Sequence, residues 1–337
     1  MKVTIQDIAE AANVAKSTVS KVINNSPRIS TETRQRVLEI MKQMNYIPSS
    51  IATRLAKQSS FNIGLLIDMS KESEFMNHFF YNIIAGIESV LGTMNYELTI
   101  SNVQSSAPGA KVLERLVLNK RVDGLIMNNS VLTEEMAHQL NELRFPYISL
   151  GEFMPPVSWV DFDNELGGQM LTEHLLESGY SNIAFVGGEL EEKLFTNRHN
   201  GYKRALLKAG MTTSSEWILR GPAIETEGYQ LGKRLLQHNN RPDAIVCMSN
   251  YTALGVLKAA QELNIHVPKQ LGIVAFDDYP LSPFTTPPLT CLNIDTFELG
   301  VAAGHLLMDR IQFPSVPYKN SLLVPKLIVR DSSQRQL

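Results

Sequence analysis

The stretch Thr4–Asn24, TIQDIAEAANVAKSTVSKVIN, decides how the chain is read. It reads as two short helices joined by a tight turn. Thr4 can cap the first helix, and Asp7, three residues on, can reach back to complete a capping box. Ile5, Ile8, Ala9 and Ala12 then recur at helical spacing. Asn13 falls where the turn needs a left-handed residue, a conformation Asn tolerates better than most side chains. Val14 leads into the second helix, whose apolar face is Val19, Val22 and Ile23. Its other face carries Lys16, Ser17, Thr18, Ser20, Lys21 and Asn24, polar and basic with no acid. A helix laid in a DNA major groove needs such a face. The pattern alone also fits a helical pair that merely packs on a larger domain.

Working outward, Asn25–Ile29 is a loop containing Pro27, and Ser30 is the expected cap of a third helix with Glu32 in its first turn. Val37, Ile40, Met41 and Met44 form its core stripe. Arg34, Arg36 and Lys42 lie off that stripe, as solvated face or phosphate contacts. The run Tyr46-Ile47-Pro48 ends the helix, since a proline disfavours helix in the residue before it. Ser49 can cap one more helix, Ser50–Lys57, SIATRLAK, with Ala52, Leu55 and Ala56 on one side and Arg54 and Lys57 on the other. A helix of two turns is marginal in water and orders only when something holds it. These signals divide the chain into a three-helix head at 1–47, a hinge or linker at 48–60 and a body at 61–337.

Charge follows the same division. Residues 1–60 hold nine Lys/Arg and four Asp/Glu, which leaves 22 basic and 30 acidic side chains for the rest, with a net charge of −3 overall. A basic head on an acidic body directs a polyanion to the head alone. The two cysteines, Cys247 and Cys291, lie in apolar stretches, so two buried thiols in a reducing compartment are expected rather than a disulfide or a zinc site. The N-terminus has no apolar run of signal-peptide length, and no stretch is long enough to span a membrane. A cytoplasmic protein is the expectation.

From Asn62 the pattern becomes α/β. Apolar runs at 63–67, 98–100, 124–127 and 147–150 alternate with helical segments at 79–94, 111–118 and 134–143. After Pro155-Pro156 the alternation restarts: helices near 165–176, 201–208, 229–236 and 253–263 lead to strands near 183–186, 217–219, 244–247 and 272–276. Two successive doubly wound units are predicted, whose opposed strand ends can frame a ligand cleft. The body lacks the glycine-rich phosphate loops and the GxSxG elbow, and its seven histidines have no metal spacing. An enzyme is therefore not expected, nor a cofactor or metal. A pure solute-binding protein is disfavoured by the basic head.

TIQDIAEAANVAKSTVSKVIN, then RISTETRQRVLEIMKQMNYIP, then ATRLA, together resemble the lac repressor (LacI/GalR) family of bacterial regulators across the first sixty residues. The resemblance implies a helix-turn-helix DNA-binding domain, a hinge helix, and two lobes like those of periplasmic sugar-binding proteins. It implies lobes near 61–160 with 293–320, and 161–292 with 321–337, joined by crossings that include strands near 292–294 and 322–324. It puts Lys16 and Ser17 at base edges, where Lys can donate to guanine and Ser to several bases. Thr4, Thr18, Ser20, Lys21 and Asn24 join the expected DNA contacts, and Leu55 is the expected minor-groove wedge. Ala15 stands where a serine usually caps the second helix, Lys21 replaces an arginine, and Ser49 and Thr53 also depart from the pattern.

For the cleft the resemblance implies Phe79, Phe80, Asn128, Arg198, Asn250 and Asp277 as effector contacts, with Tyr251 in place of a common aspartate and differences at Ile294 and Thr296. The implied function is a repressor of carbohydrate-utilisation genes that binds a palindromic operator and is controlled by a sugar or sugar derivative. A catabolite-control regulator with a phosphoprotein corepressor is the alternative. No heptad pattern follows Asp331, so a homodimer is expected.

Overall fold

The computed structural model describes residues 3–46, 59–68, 78–103, 109–154, 156–189, 193–212 and 214–335. The expected hinge helix 50–57, with Ser49, Thr53 and Leu55, lies outside the described residues.

The head contains α1 (Ile5–Ala11), α2 (Lys16–Ile23) and α3 (Thr31–Gln43). The capping box at Thr4 and Asp7 is closed in both directions, and these hydrogen bonds lower the Asp7 carboxyl pKa. Asn13 takes the left-handed conformation with φ 50°, and Ser30 caps α3 through the Thr33 amide. Ile8, Ala9, Ala12, Val19, Val22, Val37 and Met41 form one small core. Arg34 departs from the expected surface role. Its guanidinium donates to Asn25 Oδ1 and, at 2.6 Å, to the Ser26 carbonyl, so it pins the loop between α2 and α3.

Among the described residues the body holds two six-stranded sheets. In the first, the strands are β1 (Asn62–Ile67), β2 (Glu97–Asn102), β3 (Gly124–Asn128), β4 (Tyr147–Leu150), β5 (Ser158–Phe162) and β11 (Asn320–Leu323), in the order β11-β5-β4-β3-β1-β2 and all parallel. The second contains β6 (Ile183–Val186), β7 (Ile218–Leu219), β8 (Ala244–Cys247), β9 (Gly272–Phe276), β10 (Thr290–Asn293) and β12 (Lys326–Ile328), in the order β12-β10-β9-β8-β6-β7. Only β12 in that sheet runs antiparallel, against β10. Central strands are buried over nearly their whole length, as expected when helices cover both faces.

Helices α4 (His78–Thr93), α5 (Gly109–Leu113, continued by a π-turn to Leu118), α6 (Glu134–Glu142) and α11 (Thr296–Gln312) accompany the first sheet. Helices α7 (Asn164–Glu177), α8 (Lys193–Lys208), α9 (Glu225–Leu236) and α10 (Asn250–Glu262) accompany the second. The chain passes between the sheets three times: from β5 to α7, from β10 to α11 and from β11 to β12. The lobe boundaries expected at 160 and 320 therefore need correction. Phe162 ends a strand of the first sheet, and all of β11 pairs with β5 in that sheet. Two strands, β5 and β12, were not expected. β5 holds Asp161 amid apolar residues, and β12 is three residues long, so neither shows a readable period.

Paired helices meet backbone to backbone at glycines. A Cβ on Gly201 of α8 would stand 1.9 Å from the Glu165 carbonyl oxygen of α7, and one on Gly168 would stand 2.0 Å from the Arg198 carbonyl oxygen. Only hydrogen at these positions lets the two helices approach this closely. Cys247 and Cys291 are free and buried, and burial pushes the Cys291 thiol up to about 12.

Candidate nucleic-acid interface and effector cleft

The α2 face develops from its sequence as expected. Val19 and Val22 turn into the head's core, while Lys16, Ser17, Lys21 and Asn24 are exposed and Thr18 and Ser20 are half-buried. Ala15 stands at the N-cap and supplies no side-chain acceptor. The Thr18 amide donates to the Ala15 carbonyl at 2.8 Å, which leaves the Lys16 and Ser17 amides for an outside acceptor such as a phosphate oxygen. Thr4 is exposed, but its hydroxyl is committed to the Asp7 carboxylate at 2.9 Å. Asn24 donates its amide to the Ser20 carbonyl at 2.9 Å, which ends α2. Among the described residues, the side chains of Lys16, Ser17 and Lys21 make no such local bond, so the outward chemistry of the helix rests chiefly on them. The role of Leu55 lies outside the described residues.

In the body, the C-terminal ends of the parallel strands carry the polar groups, which is where open α/β sheets bind ligands. Arg198, on α8, is 5 % exposed. Its guanidinium carbon lies 4.1 Å from the centre of the Phe276 ring. Nε donates to Asn164 Oδ1 at 2.9 Å, Nη1 to the Met248 carbonyl at 2.5 Å and Nη2 to Asp277 Oδ1 at 3.4 Å. The α7–α8 glycine contact seats Arg198 one turn before Gly201 and opposite Asn164. Asp277 follows β9 with φ 68°, a left-handed position that Asp accepts more readily than most residues. Its neighbour Asp278 is gripped by Arg330 through two bonds of 2.8 Å, and Arg330 also donates to the Leu289 carbonyl at 2.7 Å. That ion pair raises the Arg330 pKa further and holds the loop that presents Asp277.

Four residues not anticipated from the sequence complete the arrangement. Asp161 on β5 accepts from the Glu152 and Phe162 amides and from Asn164 Nδ2. Burial raises its carboxyl pKa against the lowering by those donors and by the Arg198 charge. Glu152, just past β4, accepts from Asn197 Nδ2 at 2.8 Å and lies 3.4 Å from Lys193 Nζ. A polar residue just past a strand's C-terminal end was the available signal for Glu152; Asp161, Asn164 and Asn197 had none beyond polarity.

The other expected cleft residues are placed as follows. Asn250 is buried at the first turn of α10, two residues after the Met248 carbonyl that Arg198 engages, and its Oδ1 accepts the Tyr251 amide. Asn128 ends β3 in the other lobe, and its Oδ1 accepts the Ser130 amide at 2.9 Å. Phe80 packs into the core of the first lobe with Ile83, Ile87 and Leu299, so its ring serves that core. Phe79 lies on α4, and its side chain is outside what is described. Tyr251 pairs with Tyr279, ring centres 6.2 Å apart. Burial, then Tyr279, Glu225 and Asp277, raise the Tyr251 hydroxyl pKa.

Comparison with known proteins finds relatives for both the head and the body. Residues 4–49 match the family described as bacterial regulatory proteins, lacI family, and residues 172–333 match the periplasmic binding protein-like domain. The HTH-type transcriptional repressor PurR of Aliivibrio salmonicida is 30 % identical over 332 residues, covering 98 % of each chain. The chain belongs to the lacI family of bacterial regulatory proteins. It is a DNA-binding transcriptional regulator of the repressor type. PurR of Haemophilus influenzae is likewise 30 % identical over 98 % of each chain. Among solved structures, the lac repressor dimer bound to operator and the anti-inducer ONPF superposes with a TM-score of 0.83 at 28 % identity over 99 % of each chain. The cellobiose complex of the regulator CelR gives 0.74 at 26 % identity, covering 98 % of this chain and 100 % of that one. Among the described residues no helix is long and apolar enough to cross a membrane.

Proposed function

We propose that this regulator acts as a cytoplasmic homodimer on a palindromic operator. Lys16 and Ser17 would read base edges, and a small hydroxylated molecule, a sugar or sugar derivative, would bind between the lobes and change operator affinity. The observation that carries this is the pairing of Arg198 with Asp277 at the strand ends of the second sheet, with Asn250 beside them. Arg donates in a fixed fork, Asp accepts, and an Asn amide does both; vicinal hydroxyls satisfy such a set.

The similarity to repressors named PurR gives a second reading, a purine effector. A purine base needs a flat surface to stack on. Phe276 is 1 % exposed behind Arg198, and Phe80 and Phe162 belong to the first lobe's core. These three rings thus offer no open face for stacking, which supports the hydroxylated ligand.

The experiment is release of the purified dimer from its operator, followed by fluorescence anisotropy across a panel of mono- and disaccharides, sugar phosphates and purines. A sugar that shifts operator affinity, with the response lost in Asp277→Ala, supports the proposal. A response to purines alone overturns the ligand class. Silence across the panel, with a response only to a phosphorylated carrier protein, would favour a protein corepressor.

A further inference from the structure

We propose that Glu152 is a latch between the lobes that holds the effector arginine in register; this rests on Arg198 being the effector residue. Glu152 follows β4 of the first sheet, whereas Lys193 and Asn197 lie on α8 beside the second. The Glu152 carboxylate accepts from Asn197 at 2.8 Å and meets Lys193 at 3.4 Å, so one side chain of the first lobe clamps the opening turns of the helix that carries Arg198.

The same residue is tied to Arg198 by a second route. The Glu152 amide donates to Asp161 Oδ2 at 3.0 Å, Asp161 Oδ1 accepts from Asn164 Nδ2 at 3.2 Å, and Asn164 Oδ1 accepts from Arg198 Nε at 2.9 Å. Asp161 and Asn164 flank the β5–α7 passage from one lobe to the other. Backbone and side chain of Glu152 therefore reach adjacent residues, Asn197 and Arg198, by separate paths that close a ring across a crossing point.

Such a ring couples two events. Rotating the lobes apart stretches the Glu152 side-chain bonds, because their two ends belong to different lobes. The Asp161–Asn164 path sits at the pivot and changes length less, so it keeps Arg198 aimed while the latch opens. The chain itself thereby sets the fraction of closed cleft, and an effector that bridges the lobes adds to that closure.

The test needs neither operator nor effector. Glu142→Cys on α6 and Leu207→Cys on α8 place spin labels on the two lobes at exposed positions, and the two native thiols are buried. The label-to-label distance distribution is then read with Glu152 intact and with Glu152→Ala, where the open:closed ratio should rise about 3- to 10-fold, as expected for one charge-assisted bond that is part exposed. Glu152→Gln, whose amide oxygen still accepts from Asn197, should fall between. Lys193→Met with Asn197→Ala removes the same contacts from the opposite lobe, should reproduce the shift, and carries the test if Glu152→Ala does not fold. Unchanged distances in these variants would overturn the latch. If the distances shift but no small molecule alters operator binding, the latch stands and the effector reading falls.

Discussion

Replacing Gly201 by alanine isolates what the α7–α8 crossing does for Arg198. The new Cβ would stand 1.9 Å from the Glu165 carbonyl oxygen and 2.6 Å from the Gln169 amide nitrogen, both backbone atoms that no rotamer change can move. Real Cβ atoms essentially never come within 3.0 Å of such an atom, so α8 must shift by about 1 Å or more, and overpacking of this kind costs about 3 kcal/mol. Alanine returns about 1 kcal/mol through helix propensity, for a net loss of about 2 kcal/mol. At about 2–4 °C per kcal/mol for a unit of this size, the lobe's melting temperature should fall by roughly 4–8 °C. The shift also stretches the 2.9 Å bond from Arg198 to Asn164, so effector response should weaken by more than the stability loss explains. Differential scanning calorimetry and operator-release titration read the two effects. Gly92→Ala is the control: its nearest neighbour is the Glu88 carboxylate at 3.8 Å, so this substitution should leave stability unchanged or raise it slightly. A Gly201→Ala variant as stable as the parent, with an unaltered response, would show that the α7–α8 crossing does not position Arg198.

Arg198→Lys keeps a charge but loses the fork, and should reduce effector affinity at least tenfold in calorimetric titration while operator binding persists. Arg330→Ala leaves Asp278 unpaired beside Asp277 and should cost about 2–3 kcal/mol in denaturant melts. His199 stacks between Phe195 and Tyr202, and its Nε2 is buried with no hydrogen-bond partner among the described residues. Burial, aided by Lys203 and Arg220, lowers its pKa to about 4. Because the unfolded chain binds this proton more readily, stability is full above about pH 6.5 and is lost as pH falls towards the folded value of about 4. Melting temperatures at pH 7, 5 and 4 should show that slope, and His199→Phe should flatten it.

The head was legible because its signals are local. Thr4, Asp7, Asn13 and Ser30 act within three or four residues, so their caps and turn follow directly from spacing. Arg34 was misread because its partners, Asn25 and the Ser26 carbonyl, come from a loop whose path spacing does not give. In the body the α/β alternation was readable, but β5 and β12 were not, since a strand in a sheet edge or crossing is fixed by pairing rather than by its own period. Arg198 and Asp277 stood out by resemblance. Asn164 and Glu152 matter through partners distant in sequence, from Glu152 to Asn197 and from Asn164 to Arg198, and no local pattern carries such distances. Phe80 shows the reverse: an aromatic residue in an expected cleft position whose neighbours make it core.

Lys16 and Ser17 on the exposed face of α2 are expected to set the operator preference of the full chain. Selecting bound duplexes from a randomised pool with the full chain, then repeating the selection with Lys16 and Ser17 both replaced by alanine, tests it most directly. The parent should enrich a palindrome, and the variant should show a changed or erased preference at the same two symmetric positions. An identical palindrome selected by both proteins would contradict it.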